Sequence, residues 1–133
     1  MESKNNQTRC FTPQQKRLCW ERAARIWGRD PDRWRLDGVG NPILNILRGC
    51  SGAYCHEYDH IVPFSKGGQT AVSNCQILQT SVNRYKGNQD KDFNQLKAAS
   101  VEYLLTDKEM DFLEYAVYGN VKRVDMKYTT KLV

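Results

Sequence analysis

Asp59 and His60 stand side by side in an apolar run that closes at Pro63. Gly67-Gly68 follows, then Asn74 and a second apolar run, Cys75 to Leu78, then Asn83, Arg84, Lys86 and Gly87. Asp59 is a hard oxygen ligand of the kind Mg²⁺ takes. His60 has an imidazole that titrates near neutral pH, at about 6.5 when unperturbed, so its neutral form can take a proton from water. The amide oxygen of Asn83 is a second ligand, enough when water and a substrate phosphate complete the shell of a small cation. Arg84 and Lys86 are cations for phosphate oxygens. Together these groups suit metal-assisted cleavage of a phosphodiester. Singly each is weak: an Asp-His pair is ordinarily a surface feature, an Asn on a helix is rarely a ligand, and Gly-Gly is a common turn. Their order and spacing carry the weight.

These residues need elements to hold them. The alternation from Tyr54 to Phe64 predicts a strand over about Glu57 to Val62, ended by Pro63. Residues 65–73 read as a loop in which Gly67-Gly68 permits tight backbone angles. Asn74 can hydrogen-bond across that loop and brace it. Cys75 to Gln79 reads as a second strand. Thr80 or Ser81 then caps a helix that carries Asn83, Arg84 and Lys86 and ends near Gly87. Strict alternation sends Asp59 and His60 to opposite faces of their strand, so they share a site only where the strand twists or ends.

Around this centre, Thr12-Pro13-Gln14-Gln15 predicts a capped helix running to about Trp27, with Gly28 as its stop. Leu18, Ala23, Ile26 and Trp27 offer its apolar side. Lys16, Arg17, Arg22, Arg25 and Arg29 make the rest basic: a solvated face on the plain reading, a rail for phosphates on the functional one, with Arg22 and Arg25 its candidate contacts. Trp34 to Leu44 is either a hairpin around a glycine-rich loop or a strand and a short helix. Residues from Asp92 to about Leu105 form a helix with Phe93, Leu96, Val101, Leu104 and Leu105 apolar and a break near Ser100. Thr106-Asp107-Lys108-Glu109 is a capping box opening a helix that presents Met110, Leu113, Tyr115, Ala116 and Val117 and stops at Gly119. Residues 1–10 and the basic tail from Lys122 to Val133 read as loosely held.

The length of 133 residues is that of one domain, with its core motif at 54–88. A net charge of +5 and a pI near 9.0 favour a polyanionic partner. No apolar run approaches the roughly 20 residues of a membrane span, and the N-terminus carries no secretory h-region. The five cysteines, Cys10, Cys19, Cys50, Cys55 and Cys75, are odd in number and irregular in spacing, which reads as free thiols in a reducing compartment. The expected location is therefore intracellular, in the nucleus or another compartment holding DNA, and not secreted.

The order of residues from Asp59 to Gly87 resembles that of the HNH endonuclease family. The family pattern is an Asp-His-x-x-Pro strand, a loop with Gly-Gly, an Asn before an apolar strand, and a helix with His or Asn before a basic residue and Lys-Gly. The resemblance covers about a third of the chain and implies a ββα-metal core, hence an α+β fold, packed with flanking N- and C-terminal helices. It implies His60 as general base, Asn74 as the loop brace, and Asp59 and Asn83 as ligands of one divalent cation. Mg²⁺ is the first choice, with Mn²⁺ or Ni²⁺ as alternatives. Asn in place of His at the third position makes this an HNN variant. The implied reaction is cleavage of double-stranded or structured DNA, with RNA a further substrate class, to 5′-phosphate and 3′-hydroxyl ends with little sequence preference, by a monomer or weak dimer. Many family members carry paired cysteines for a structural zinc before the helix Asn; Gln79 and Val82 stand there instead, so no structural zinc is expected. The arrangement resembles small stand-alone HNH proteins, plant ones among them. The alternative is a catalytically silent nucleic-acid-binding module on the same fold.

Overall fold

The structure, a computed structural model, describes residues 8–101 and 106–124. The helix signals at the N-terminus act as read. Thr12 accepts from Gln15 N while Gln15 Oε1 accepts from Thr12 N, and Pro13 fills the first turn of α1, Pro13–Arg22. The helix stops well before Trp27, however. Its last carbonyls are taken by a distant side chain: Arg35 Nη1 donates to Glu21 O and Ala23 O, at 3.1 and 2.9 Å. Ala24 then bridges to Leu36, whose N–H donates to the Ala24 carbonyl at 2.7 Å. Arg25 and Trp27 thus lie beyond the helix, and Gly28 is no part of its end. Cys19 and Trp20 are its buried residues, while Leu18 and Trp27 are exposed.

Trp34 to Leu44 resolves as a hairpin, β1 (Trp34–Leu36) antiparallel to β2 (Pro42–Leu44). Its loop is organised by Asp37. Oδ1 accepts from Val39 N and Asn41 N, and Oδ2 accepts from Asn41 Nδ2. Oδ2 also accepts from Gln79 N at 2.7 Å, which ties the hairpin to the start of the central helix. Burial raises the Asp37 carboxyl pKa, against these hydrogen bonds, which lower it.

The centre is a ββα unit. β3 (His56–His60) pairs antiparallel with β4 (Cys75–Gln79), setting Asp59 opposite Gln76 and His60 opposite Cys75. The strand ends at His60, two residues earlier than the alternation predicts, because Asn74 takes over the backbone beyond it. Asn74 Oδ1 accepts from Val62 N at 2.8 Å, and its Nδ2 donates to Val62 O and Gln69 O. A Cβ on Gly68 would land on the Val62 carbonyl, so only glycine fits that close approach. α2 (Thr80–Lys86) follows β4 without a loop. Its N-cap is Gln79 and no side chain caps it, contrary to the expectation for Thr80 or Ser81. Gln79 is instead fastened through Nε2 to Ala53 O and Val101 O. Gly87, with φ 56°, ends the helix.

Cys50 and Cys55 form a disulfide just before β3, which corrects the reading of all five cysteines as free thiols; Cys10, Cys19 and Cys75 are free. The bond removes the premise for a reducing compartment at these two positions. α3 (Phe93–Ala98) is capped by Asp92 and Gln95 and buries Leu96 against Val39, Leu78 and Val82. It ends at Ala98, short of the expected run; Leu104 and Leu105, like the tail beyond Val124, lie outside the described residues. α4 (Asp107–Tyr118) has the expected Thr106–Glu109 box and stops at Gly119. Met110, with Leu113 and Val117, packs on Trp34 and Leu44, but Tyr115 and Ala116 face out. The residue fully buried on this helix is Glu114. Its carboxylate accepts from Trp34 Nε1 and Lys122 N and meets Arg29 and Arg33, so the buried charge is paired and hydrogen-bonded. Among the described residues no helix is long and apolar enough to cross a membrane.

Candidate active site

Asp59, His60 and Asn83 line one cleft of about 800 Å³, together with Glu57 and the cations Arg9, Lys16 and Arg48. Asp59 and His60 both line the cleft, but as the alternation of β3 dictates their side chains meet different partners, Gln76 and Lys86 for Asp59 and Phe11, Phe64 and Thr70 for His60. Asp59 is buried and points toward α2. Its Oδ2 accepts from Gln76 Nε2 at 3.0 Å and lies 3.2 Å from Lys86 Nζ. Lys86 is itself buried and also donates to the His60 carbonyl, at 3.0 Å. The side chain expected to reach for phosphate is thus turned inward, where it ties α2 to both residues of the Asp-His pair.

His60 is half-buried. Its ring stacks on Phe11, with centroids 4.4 Å apart at 28°, and Phe64 meets it edge-on. Its Nε2 lies 2.9 Å from Thr70 Oγ1. Burial lowers its pKa, the positive charges of Arg9 and Lys86 lower it further, and Asp59 opposes them. The balance favours the neutral imidazole, the form that accepts a proton.

Asn83 donates from Nδ2 to Glu57 Oε1 at 2.8 Å. With the NH₂ end committed, Oδ1 is the end of the amide left to act as a ligand. The other oxygen of Glu57 pairs with the exposed Arg84, 3.1 Å away. Among the described residues no three His, Cys, Asp or Glu side chains are grouped to hold a metal ion. The donor set that fits a divalent cation is one carboxylate and one amide oxygen, a set that leaves most of a hard ion's positions to water and substrate oxygens. Asp59 already faces the cationic Lys86.

Arg22 and Arg25 are not among the residues lining this cleft. Arg22 donates to the Val72 carbonyl and borders a separate depression with Cys19 and Cys75. Arg25 is half-buried past the end of α1. Asn74 braces the loop and lies outside the cleft lining. Sequence reasoning missed Glu57, although its place two residues before Asp59 puts it on the same strand face. It also missed Arg9 and Arg48, and Thr70, for which no local signal exists. His56, next to Glu57, is fully buried between Trp20 and Tyr58, and neither ring nitrogen has a hydrogen-bond partner among the described residues.

The family model of the HNH endonucleases matches residues 47–89, which covers both strands, the braced loop and the helix. No curated protein and no solved structure is a match for the chain.

Proposed function

We propose that the HNH segment at residues 47–89 makes this chain a divalent-metal-dependent endonuclease that hydrolyses phosphodiester bonds in DNA. The observation that supports this reading is that Asp59, His60 and Asn83 line one cleft, together with Arg9, Lys16 and Arg48. His60, neutral by virtue of its surroundings, takes the proton of the attacking water, a role that typically contributes about 10²–10⁴-fold. Asp59 and the Asn83 amide oxygen hold the cation, Mg²⁺ by the hardness of its ligands, with Mn²⁺ and Ni²⁺ as substitutes. When bound, the cation stabilises charge on the scissile phosphate and the leaving oxygen. The arginines and Lys16 hold phosphates on either side, and Asn74 keeps the loop that fixes the end of β3. The products are 5′-phosphate and 3′-hydroxyl ends, as in the family that the motif resembles.

Supercoiled plasmid tests the reading. The wild type nicks or linearises it with Mg²⁺, Mn²⁺ or Ni²⁺, and EDTA stops the reaction. His60→Ala retains binding by gel shift and loses cleavage by at least about 10²-fold. Undiminished cutting by His60→Ala removes that residue from the mechanism. One observation favours the second reading, a silent binding module: Lys86 already compensates Asp59 without a metal. Retarded DNA that stays intact with every ion tried selects that reading.

A further inference from the structure

We propose that Thr70 is a positioning residue for His60: its hydroxyl holds the imidazole as the Nε2–H tautomer and leaves Nδ1 as the nitrogen that takes the proton. A proton count carries this. A threonine hydroxyl has one hydrogen. Thr70 Oγ1 donates it to the Thr8 carbonyl at 2.6 Å. Toward His60 Nε2, 2.9 Å away, it therefore presents lone pairs. The contact is a hydrogen bond only when Nε2 carries the hydrogen, and a neutral ring protonated there accepts at Nδ1.

Thr70 is built in. It is buried, and its carbonyl accepts from Gln15 Nε2 at 3.1 Å, from the same side chain whose Oε1 caps the start of α1. Phe11 covers one face of the imidazole. Thr8, Phe11 and Gln15 lie outside the matched segment 47–89, so the N-terminal segment and α1 supply the mount that orients this histidine. The kinetic consequence rests on the nuclease reading; the tautomer does not.

The chain contains two histidines, so a long-range ¹H–¹⁵N spectrum of the labelled full-length protein is simple, and His60→Gln assigns it. At pH about 8, above the ordinary histidine range of about 6.5, His60 is expected with Nε2 protonated and Nδ1 bare. Thr70→Ser keeps that pattern, and Thr70→Val gives a tautomer mixture. In plasmid cleavage, Thr70→Val is expected to lower kcat by about tenfold or more, inside the about 10²–10⁴-fold of a general base, at unchanged KM, and Thr70→Ser restores it. A wild type with Nδ1–H or mixed tautomers overturns the proposal, as does a Thr70→Val variant with undiminished kcat. If Thr70→Val does not fold, the wild-type and Thr70→Ser spectra decide. A wild type that shows the Nε2–H tautomer but cuts no DNA with any ion removes the nuclease reading and leaves the tautomer assignment standing.

Discussion

Glu57 joins the two sides of the cleft: one oxygen receives the Asn83 amide, the other the Arg84 guanidinium. Without an acceptor at Nδ2, the Asn83 amide is free to rotate, and its oxygen loses its fixed direction. Glu57→Ala is expected to weaken divalent-ion binding by about tenfold, the lower end of what an orienting partner of a metal ligand typically contributes. Glu57→Gln retains most of the affinity, since a Gln oxygen still accepts from Asn83. Calorimetric titration of Mn²⁺ into the His60→Ala background reads this without turnover, and equal affinities in the Ala and Gln variants would discard the role. Lys86 makes the complementary point. Its helix position is plain in the sequence, but a lysine near a turn end can reach out or in. Here the buried Asp59 carboxylate decides, because an ionised acid in that place needs a counter-charge.

The elements are joined by single side chains that sequence spacing does not reveal. Arg35 ends α1 by taking its carbonyls, and Asp37 fastens the first hairpin to the start of α2, the helix that carries Asn83. Both act across the chain on groups that an isolated segment would leave to water. The loop closed by Cys50 and Cys55 sits between Arg48-Gly49 at the cleft and the start of β3, where Gly49 N donates to the His56 carbonyl. Closing so short a loop removes chain entropy from the unfolded state worth about 2 kcal/mol. The Cys50→Ser/Cys55→Ser double variant is expected to lose about that much in urea unfolding, and reduction of the wild type should give the same loss. Equal stability with and without the bond would contradict this.

Across the whole molecule, acid stability is expected to follow His56. Burial first, and then the charge of Arg48, lower its pKa from 6.5 to about 4. Between about 6.5 and about 4 the unfolded chain therefore takes up a proton that the folded chain refuses. Stability is full above that window and falls as the pH drops through it, by at most about 3 kcal/mol. His56→Phe fills similar space between Trp20 and Tyr58, removes the titrating ring and should flatten this slope in urea melts at a series of pH values. An acid slope as steep as that of the wild type would place the titrating group elsewhere.

Local signals were enough for the ββα core, the capping boxes at Thr12 and Thr106, the Gly119 stop and the bracing Asn74, because each depends on neighbours within a few residues: a cap on its third residue, a strand on its alternation, a glycine on its own backbone angles. The same patterns put Asp59, His60 and Asn83 on adjoining elements. Only the tertiary structure decided where α1 stops, that Lys86 turns inward, that Cys50 bonds Cys55, that Glu114 and not Tyr115 is buried, and that Thr70 and Phe11 hold the His60 ring. Most of these are set by partners distant in sequence, such as Arg29 with Glu114 or Thr8 with Thr70. A contact between remote residues leaves no period or spacing in the chain, and it becomes visible only when burial makes each polar group find a partner.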